Sequence, residues 1–184
     1  MTSLRLPLAL LIAASAFALT GCSPEAAVPS APPSAEAEPL FASDEEALAA
    51  AEAAYAEYLA VSNEILESGG VGEEELRPLV SDQVFEDESA SYAERRAKNW
   101  RSVGSTELVS TKLQQSSETA SGAEVIAFVC VSYLDVDVVG PDDVSVVNPD
   151  RPPYVTFEAV VSFDSEGKWR LERNEFWEAS ESCE

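Results

Sequence analysis

A chain of 184 residues with 34 acidic against 11 basic side chains carries a formal net charge of −23. That balance excludes nucleic acid as a natural partner, because phosphate binding requires a basic face, and it opposes docking of a folded domain on anionic lipid. Histidine is absent, which removes the commonest general base, the Ser-His and Cys-His nucleophile pairs and the commonest metal ligand.

The chain opens with Arg5 as a small positive start, followed by an apolar stretch from Leu6 to Leu19 broken only by Pro7 and Ser15. Roughly 14 residues fall short of the about 20 that a membrane-spanning helix needs. A short apolar run leading to small residues reads as a signal peptide. It closes on Leu19-Thr20-Gly21-Cys22, which resembles the lipobox of bacterial lipoproteins position by position. The resemblance implies a signal peptide over 1–21 and a mature chain beginning at Cys22. It also implies a diacylglyceryl group on that cysteine and a lipid-anchored location on the extracytoplasmic face of the cell membrane. Two acyl chains give a stable anchor where one is marginal. The other reading is an ordinary secretory signal that happens to contain a cysteine.

From Cys22 to Leu40 the chain is rich in Pro, Ala, Ser and Glu, with prolines at 24, 29, 32, 33 and 39. Such a segment has little to bury and few backbone donors to pair. Extended at about 3.1 Å per residue, it would reach roughly 55 Å and act as a tether. Residues 41–184 then match the size of one domain, about 144 residues. With Cys22 given to lipid, Cys130 and Cys183 are the only remaining cysteines. An even number outside the cytoplasm suggests a structural disulfide.

Within the domain, Ser43-Asp44-Glu45-Glu46 has the pattern of a capping box. Leu48, Ala51, Tyr55, Leu59, Ser62 and Ile65-Leu66 continue from it at helical spacing to about Glu67. Gly69-Gly70 ends that helix. A second, short helix is expected over Glu73–Val80, a short strand over Gln83–Glu88 and a third helix over Ser91–Trp100. Strands are expected over Leu108–Ser116, Glu124–Val138, Tyr154–Phe163 and Lys168–Trp177, with a long loop over Val139–Pro153. Helices first and antiparallel strands afterwards make an α+β layout, with N-terminal helices packed on a curved antiparallel sheet.

This order of elements, together with Gly167-Lys168-Trp169-Arg170-Leu171 at a terminal hairpin, resembles the NTF2-like (SnoaL-like, cystatin-like) fold. With its lipobox, Pro-Ala linker and cysteine pair, the chain also resembles small actinobacterial lipoproteins of that class. The resemblance implies a cone with a cavity on the concave side of the sheet. Members use such a cavity as an enzyme pocket, use it as a ligand site, or fill it with core, so fold alone does not settle function.

Candidate pocket residues are Tyr133, Asp135, Trp169, Arg173, Glu175 and Trp177. Tyr133 and Asp135, two apart on an expected strand, would share a face and could serve as an acid–phenol pair. Trp169, Leu171, Arg173, Glu175 and Trp177 share a face by strict alternation. Arg173 and Glu175 would then either line a polar ligand site, sit past the edge of the core, or follow a bulge that changes the register. Asp135, Asp137, Asp142, Asp143 and Asp150 raise calcium, but the EF-hand pattern is absent. A solvated loop is the simpler reading of these acids.

No catalytic residue, metal site or cofactor is assigned. The expected function is a non-enzymatic binding or interaction module of the cell envelope, anchored to the membrane through lipid, with an envelope protein or small ligand as partner. The alternatives are a SnoaL-like enzyme using a buried Asp or Glu on a small apolar substrate, and a structural role in envelope assembly.

Overall fold

The computed structural model describes residues 39–119, 121–178 and 183. The signal segment, Leu19–Cys22 and nearly all of the proline-rich segment lie outside the described residues. Among those described, no helix is long and apolar enough to cross a membrane.

The first helix, α1 (Asp44–Glu67), starts where its cap predicts. The Ser43 hydroxyl accepts the Glu46 N–H at 3.2 Å, and the Glu46 carboxylate reaches back to the Ala42 N–H at 2.8 Å. Three acids in the first turn complement the positive end of the helix dipole. Ala47, Ala51 and Ala54 are buried with Tyr55, Tyr58 and Ile65. The small side chains let the N-terminal half approach the sheet closely, and the tyrosines fill the wider space beyond.

The segment after α1 departs from expectation. Only Glu73–Leu76 is helical, as a single 3₁₀ turn. Pro78 has no N–H to carry a helix further. The chain then extends, and Leu79 and Ser81 exchange backbone hydrogen bonds with Leu171, each at 2.9 Å. The strand expected over Gln83–Glu88 and the helix expected over Ser91–Trp100 are one helix, α2 (Asp82–Lys98). Ser81 caps it, accepting the Val84 N–H at 3.3 Å, and Asn99 ends it in the left-handed conformation at φ 52°. Val84, Phe85 and Tyr92 are its buried residues, a spacing of about two helical turns that buries one face only if the helix is continuous.

Four long strands form one antiparallel sheet in the order β2-β3-β5-β6: β2 (Glu107–Thr119), β3 (Gly122–Ser132), β5 (Tyr154–Asp164) and β6 (Trp169–Trp177). The expected strand Glu124–Val138 is broken. It ends at Ser132, turns through Leu134-Asp135, and resumes as β4 (Asp137–Val139). There it pairs with β1 (Arg101–Val103), a strand with no sequence signal, in a separate two-stranded sheet. Among the described residues the architecture is thus α+β, with two helices, a curved four-stranded antiparallel sheet and a two-stranded accessory sheet.

The helices cover one face of the long sheet. Val125, Val129 and Val131 of β3, Ala159, Val161 and Phe163 of β5, and Leu171 of β6 meet α1 and α2 in one core. At one end of the sheet Phe41 packs edge-on against Phe163, with ring centroids 5.1 Å apart. On the opposite face Cys130 and Cys183 are disulfide-bonded with Cα atoms 5.2 Å apart. The Phe128 and Trp177 rings meet nearby at 4.9 Å.

Register along β6 is not uniform. Val160 pairs with Arg173, but Val161 pairs with Leu171, so Glu172 is an extra residue in a β-bulge. Trp169 and Leu171 stand opposite Phe163 and Val161 on the helix-facing side, and after the bulge Asn174 takes that side opposite Ala159. Arg173, Glu175 and Trp177 therefore fall on the outer face. The strict alternation that put them with Trp169 and Leu171 does not hold.

The accessory sheet depends on one glycine. Gly104 has φ +79°, and a Cβ there would lie 1.9 Å from the Asp135 carbonyl oxygen. Gly104→Ala should therefore cost more than about 1 kcal/mol, read as a lower urea midpoint with an unchanged denaturant slope. An unchanged midpoint would mean that the turn at Leu134-Asp135 is free to move away.

Candidate functional site

Between α1, α2 and the helix-facing side of the sheet lies a cavity of about 190 Å³. Its walls are Tyr55, Tyr58, Leu59, Ser62 and Leu66 from α1, Glu88, Ser91 and Arg95 from α2, Thr106, Tyr133, Phe157 of β5 and Asn174 of β6. A larger outer groove of about 550 Å³ runs between α2 and β6. Glu88, Ser91 and Asn174 line both, so they form the junction between groove and cavity.

The polar groups on the cavity wall are mostly committed to one another. Tyr58 donates its hydroxyl proton to Glu88 Oε1 at 2.5 Å, and Tyr55 donates to Asn174 Oδ1 at 3.1 Å. The Asn174 amide approaches the Tyr58 hydroxyl at 3.5 Å, and the Ser62 and Tyr92 hydroxyls are 3.0 Å apart. A buried hydroxyl without such a partner would cost about 1–3 kcal/mol.

Burial is the main force on the phenols, pushing Tyr55, Tyr58, Tyr92 and Tyr133 above the usual tyrosine range. The negative charge of Glu88 adds to this at all four. Burial acts the opposite way on the Arg95 guanidinium and lowers its pKa.

Two donors at this site are not committed. Arg95 has only a long 3.5 Å contact to the Ser102 hydroxyl, and among the described residues no carboxylate lies within 4.0 Å of it. The Tyr133 backbone carbonyl accepts from Arg151 at 3.0 Å, but its hydroxyl has no hydrogen-bond partner among the described residues.

The six expected pocket residues are dispersed. Tyr133 lines the cavity, whereas Asp135 is exposed on the turn after β3 and does not share a strand face with it. Trp169 packs against the core and donates its indole N–H to Glu57 at 3.1 Å. Arg173 and Glu175 line the outer groove, where Arg173 binds Glu158 at 2.6 Å. Trp177 lies on the outer face against Phe128.

The acids of the long loop are drawn into local structure. Asp137 accepts from the Ser145 hydroxyl at 2.7 Å, and Asp143 binds Arg101 at 2.8 Å. Among the described residues no group of three or more Asp, Glu or Cys side chains is placed to hold a metal ion.

Tyr55, Tyr58, Glu88, Arg95 and Asn174 were not singled out from the sequence. A signal for two of them exists: Glu88 and Arg95 recur with Tyr92 between them, at i, i+4 and i+7 on one helix face. It is legible only once Gln83–Glu88 is read as helix.

No protein-family model matches the chain, and no curated relative matches its sequence. Among solved structures, it is similar to the intermembrane space region of the chloroplast protein ARC6, with a TM-score of 0.51 at 12% identity, covering 72% of this chain and 97% of that one. A de novo designed β-sheet protein aligns with a TM-score of 0.30 at 12% identity over 76% of this chain and 94% of its own, too low to carry an argument. The first likeness is one of fold alone.

Proposed function

We propose that the chain is a lipid-anchored, extracytoplasmic protein of the cell envelope whose domain is an NTF2-like cone that binds a small ligand. The cavity between the helices and the sheet carries this reading. It has a mixed apolar and hydrogen-bonding wall and shares Glu88, Ser91 and Asn174 with the outer groove. The anchor rests on Leu19-Thr20-Gly21-Cys22. Binding is favoured over catalysis because Asp135, the acid expected to act with Tyr133, stands on an exposed turn. Glu88, the acid that does line the cavity, already accepts the Tyr58 hydroxyl.

Placement of the tether suits this reading. The Leu40 N–H donates to Glu118 at 3.2 Å, and Phe41 packs on Phe163, so the chain enters the domain at the end of the sheet where Gly122 pairs with Asp164. Tyr133 follows the opposite end of β3, about 33 Å away along the strand. The cavity thus lies toward the end of the domain remote from its point of attachment.

The tyrosine cluster shapes the cavity only while its phenols stay neutral. Each binds its proton more tightly in the folded than in the unfolded chain. That contribution is complete below about pH 10, the ordinary tyrosine value, and is lost as the pH rises beyond it.

Three outcomes are expected. Cys22→Ser should move the protein from the detergent phase to the aqueous phase or leave it unprocessed; unchanged partitioning would remove the anchor. With the full chain in detergent, a saturating small molecule of isopentyl shape, charged or neutral, should shift the methyl NMR signals of Leu59 and Leu66, and silence at both with every such molecule would remove the cavity as a ligand site. On alkaline titration, stability should fall above about pH 10, with the buried phenols ionising together with the loss of far-UV circular dichroism. Their ionisation at constant dichroism would show instead that water reaches the cluster in the folded state.

A further inference from the structure

We infer that the cavity takes a small zwitterion of the amino-acid class, with its carboxylate on Arg95 and Tyr133 and its ammonium group on Glu88. The inference rests on the cavity being a ligand site and adds the chemistry of the ligand.

Size sets the first limit. The cavity has a volume of about 190 Å³. That is below the range of about 300–1,000 Å³ typical of drug-sized ligands. The occupant is therefore a molecule of few heavy atoms.

Charge sets the second. In this acidic chain, Arg77, Arg96, Lys98, Arg101 and Arg173 each meet a carboxylate within 4 Å. Arg95 has no such partner among the described residues, as is also true of Lys112, Arg151, Lys168 and Arg170, but of these it is the one that lines the cavity. The Tyr133 hydroxyl on the same wall also lacks an acceptor. A half-buried guanidinium with one long contact to a hydroxyl and a phenol lacking an acceptor are matched by a carboxylate, which can take two parallel N–H bonds from arginine and a third from the hydroxyl.

A simple carboxylate is not enough, because Glu88 lines the same cavity and would repel it. A simple amine would satisfy Glu88 and leave Arg95 unmatched. Glu88 and Arg95 lie seven residues apart on α2, two turns along one face and about 10.5 Å in rise. Their long side chains can converge on a ligand that carries both signs. Glu88 has a second oxygen besides the one that Tyr58 occupies. Leu59, Leu66 and Phe157 offer an apolar wall for a short aliphatic side chain.

The test uses four molecules of similar shape on the full chain in detergent: L-leucine, 4-methylpentanoate, 3-methylbutylamine and 3-methyl-1-butanol, titrated by calorimetry and methyl NMR. Leucine should bind at least tenfold more tightly than each of the other three. Arg95→Gln should bring leucine down to the level of the amine, Glu88→Gln should bring it down to the level of the carboxylate, and Arg95→Lys should retain part of the preference. Thermal melts of each variant report whether the fold is kept. Tyr133→Phe, which removes only the unpartnered hydroxyl, should weaken leucine and 4-methylpentanoate but not the amine.

Binding of the alcohol as tightly as leucine would overturn the zwitterion and leave the cavity a ligand site. A leucine preference that survives in a folded Arg95→Gln or Tyr133→Phe chain would also overturn it. Failure of all four molecules to bind would remove both the zwitterion and the cavity.

Discussion

One extra residue in β6 governs how the helices meet the sheet. Glu172 sits in a bulge between Leu171, paired with Val161, and Arg173, paired with Val160. Before the bulge, the Leu171 backbone binds both Leu79 and Ser81. At the bulge, the Glu172 carbonyl accepts the Ser81 hydroxyl at 3.0 Å. The same hydroxyl oxygen accepts the Val84 N–H and so caps α2. The sheet edge thereby fixes the start of α2, and a continuous helix then carries Glu88, Ser91 and Arg95 to the cavity. Beyond the bulge the reversed alternation delivers Asn174 to the helix-facing side, where it receives the Tyr55 hydroxyl. Without the bulge, Arg173 would occupy that side instead, bringing an unmatched charge against the buried tyrosines.

The cavity survives because most of its polar groups are satisfied in pairs while its walls stay rigid. An apolar core of this size would close over the space, since interiors pack to high density. Tyrosine resists closure, because its ring fills volume while its hydroxyl must reach a partner. Tyr55, Tyr58 and Tyr92 each find one, at Asn174, Glu88 and Ser62. These bonds join α1 to β6, α1 to α2, and α1 to α2 a second time, so the groups that line the cavity also hold its walls apart.

The elements most legible in the sequence are those whose signals are local. Ser43 and Glu46 mark the start of α1, Gly69-Gly70 marks its end, and alternation through Val155–Phe163 marks β5. The α+β order follows from these. What was not legible depends on partners distant in sequence. Val84-Phe85 is too short an apolar run to distinguish strand from helix by period, and Ser81 shows itself as a cap only beside Leu171 and Glu172. The break after Ser132 is set by Gly104, whose missing side chain admits the Asp135 carbonyl, and by Arg151, which binds the Tyr133 and Val136 carbonyls at 3.0 and 2.7 Å. The bulge leaves no trace in an alternation count. This is why Asp135, Arg173 and Glu175, which strict alternation places beside Tyr133 or the tryptophans, stand elsewhere.

The order of charges along the path into the domain gives the zwitterion reading its direction. Asp87, Glu172 and Glu175 line the outer groove with Gln83 and Arg173, and Arg173 is already held by Glu158. The groove is therefore negative in effect, Glu88 lines both groove and cavity, and Arg95 lines the cavity alone. A free anion meets repulsion along the whole approach, whereas a molecule with an ammonium group is attracted through it. Once at the junction, that group stays with Glu88, and only the carboxylate continues toward Arg95 and Tyr133. Burial strengthens each of these contacts by excluding the water that would screen them. The acidic groove thus favours one orientation of a small dipolar ligand.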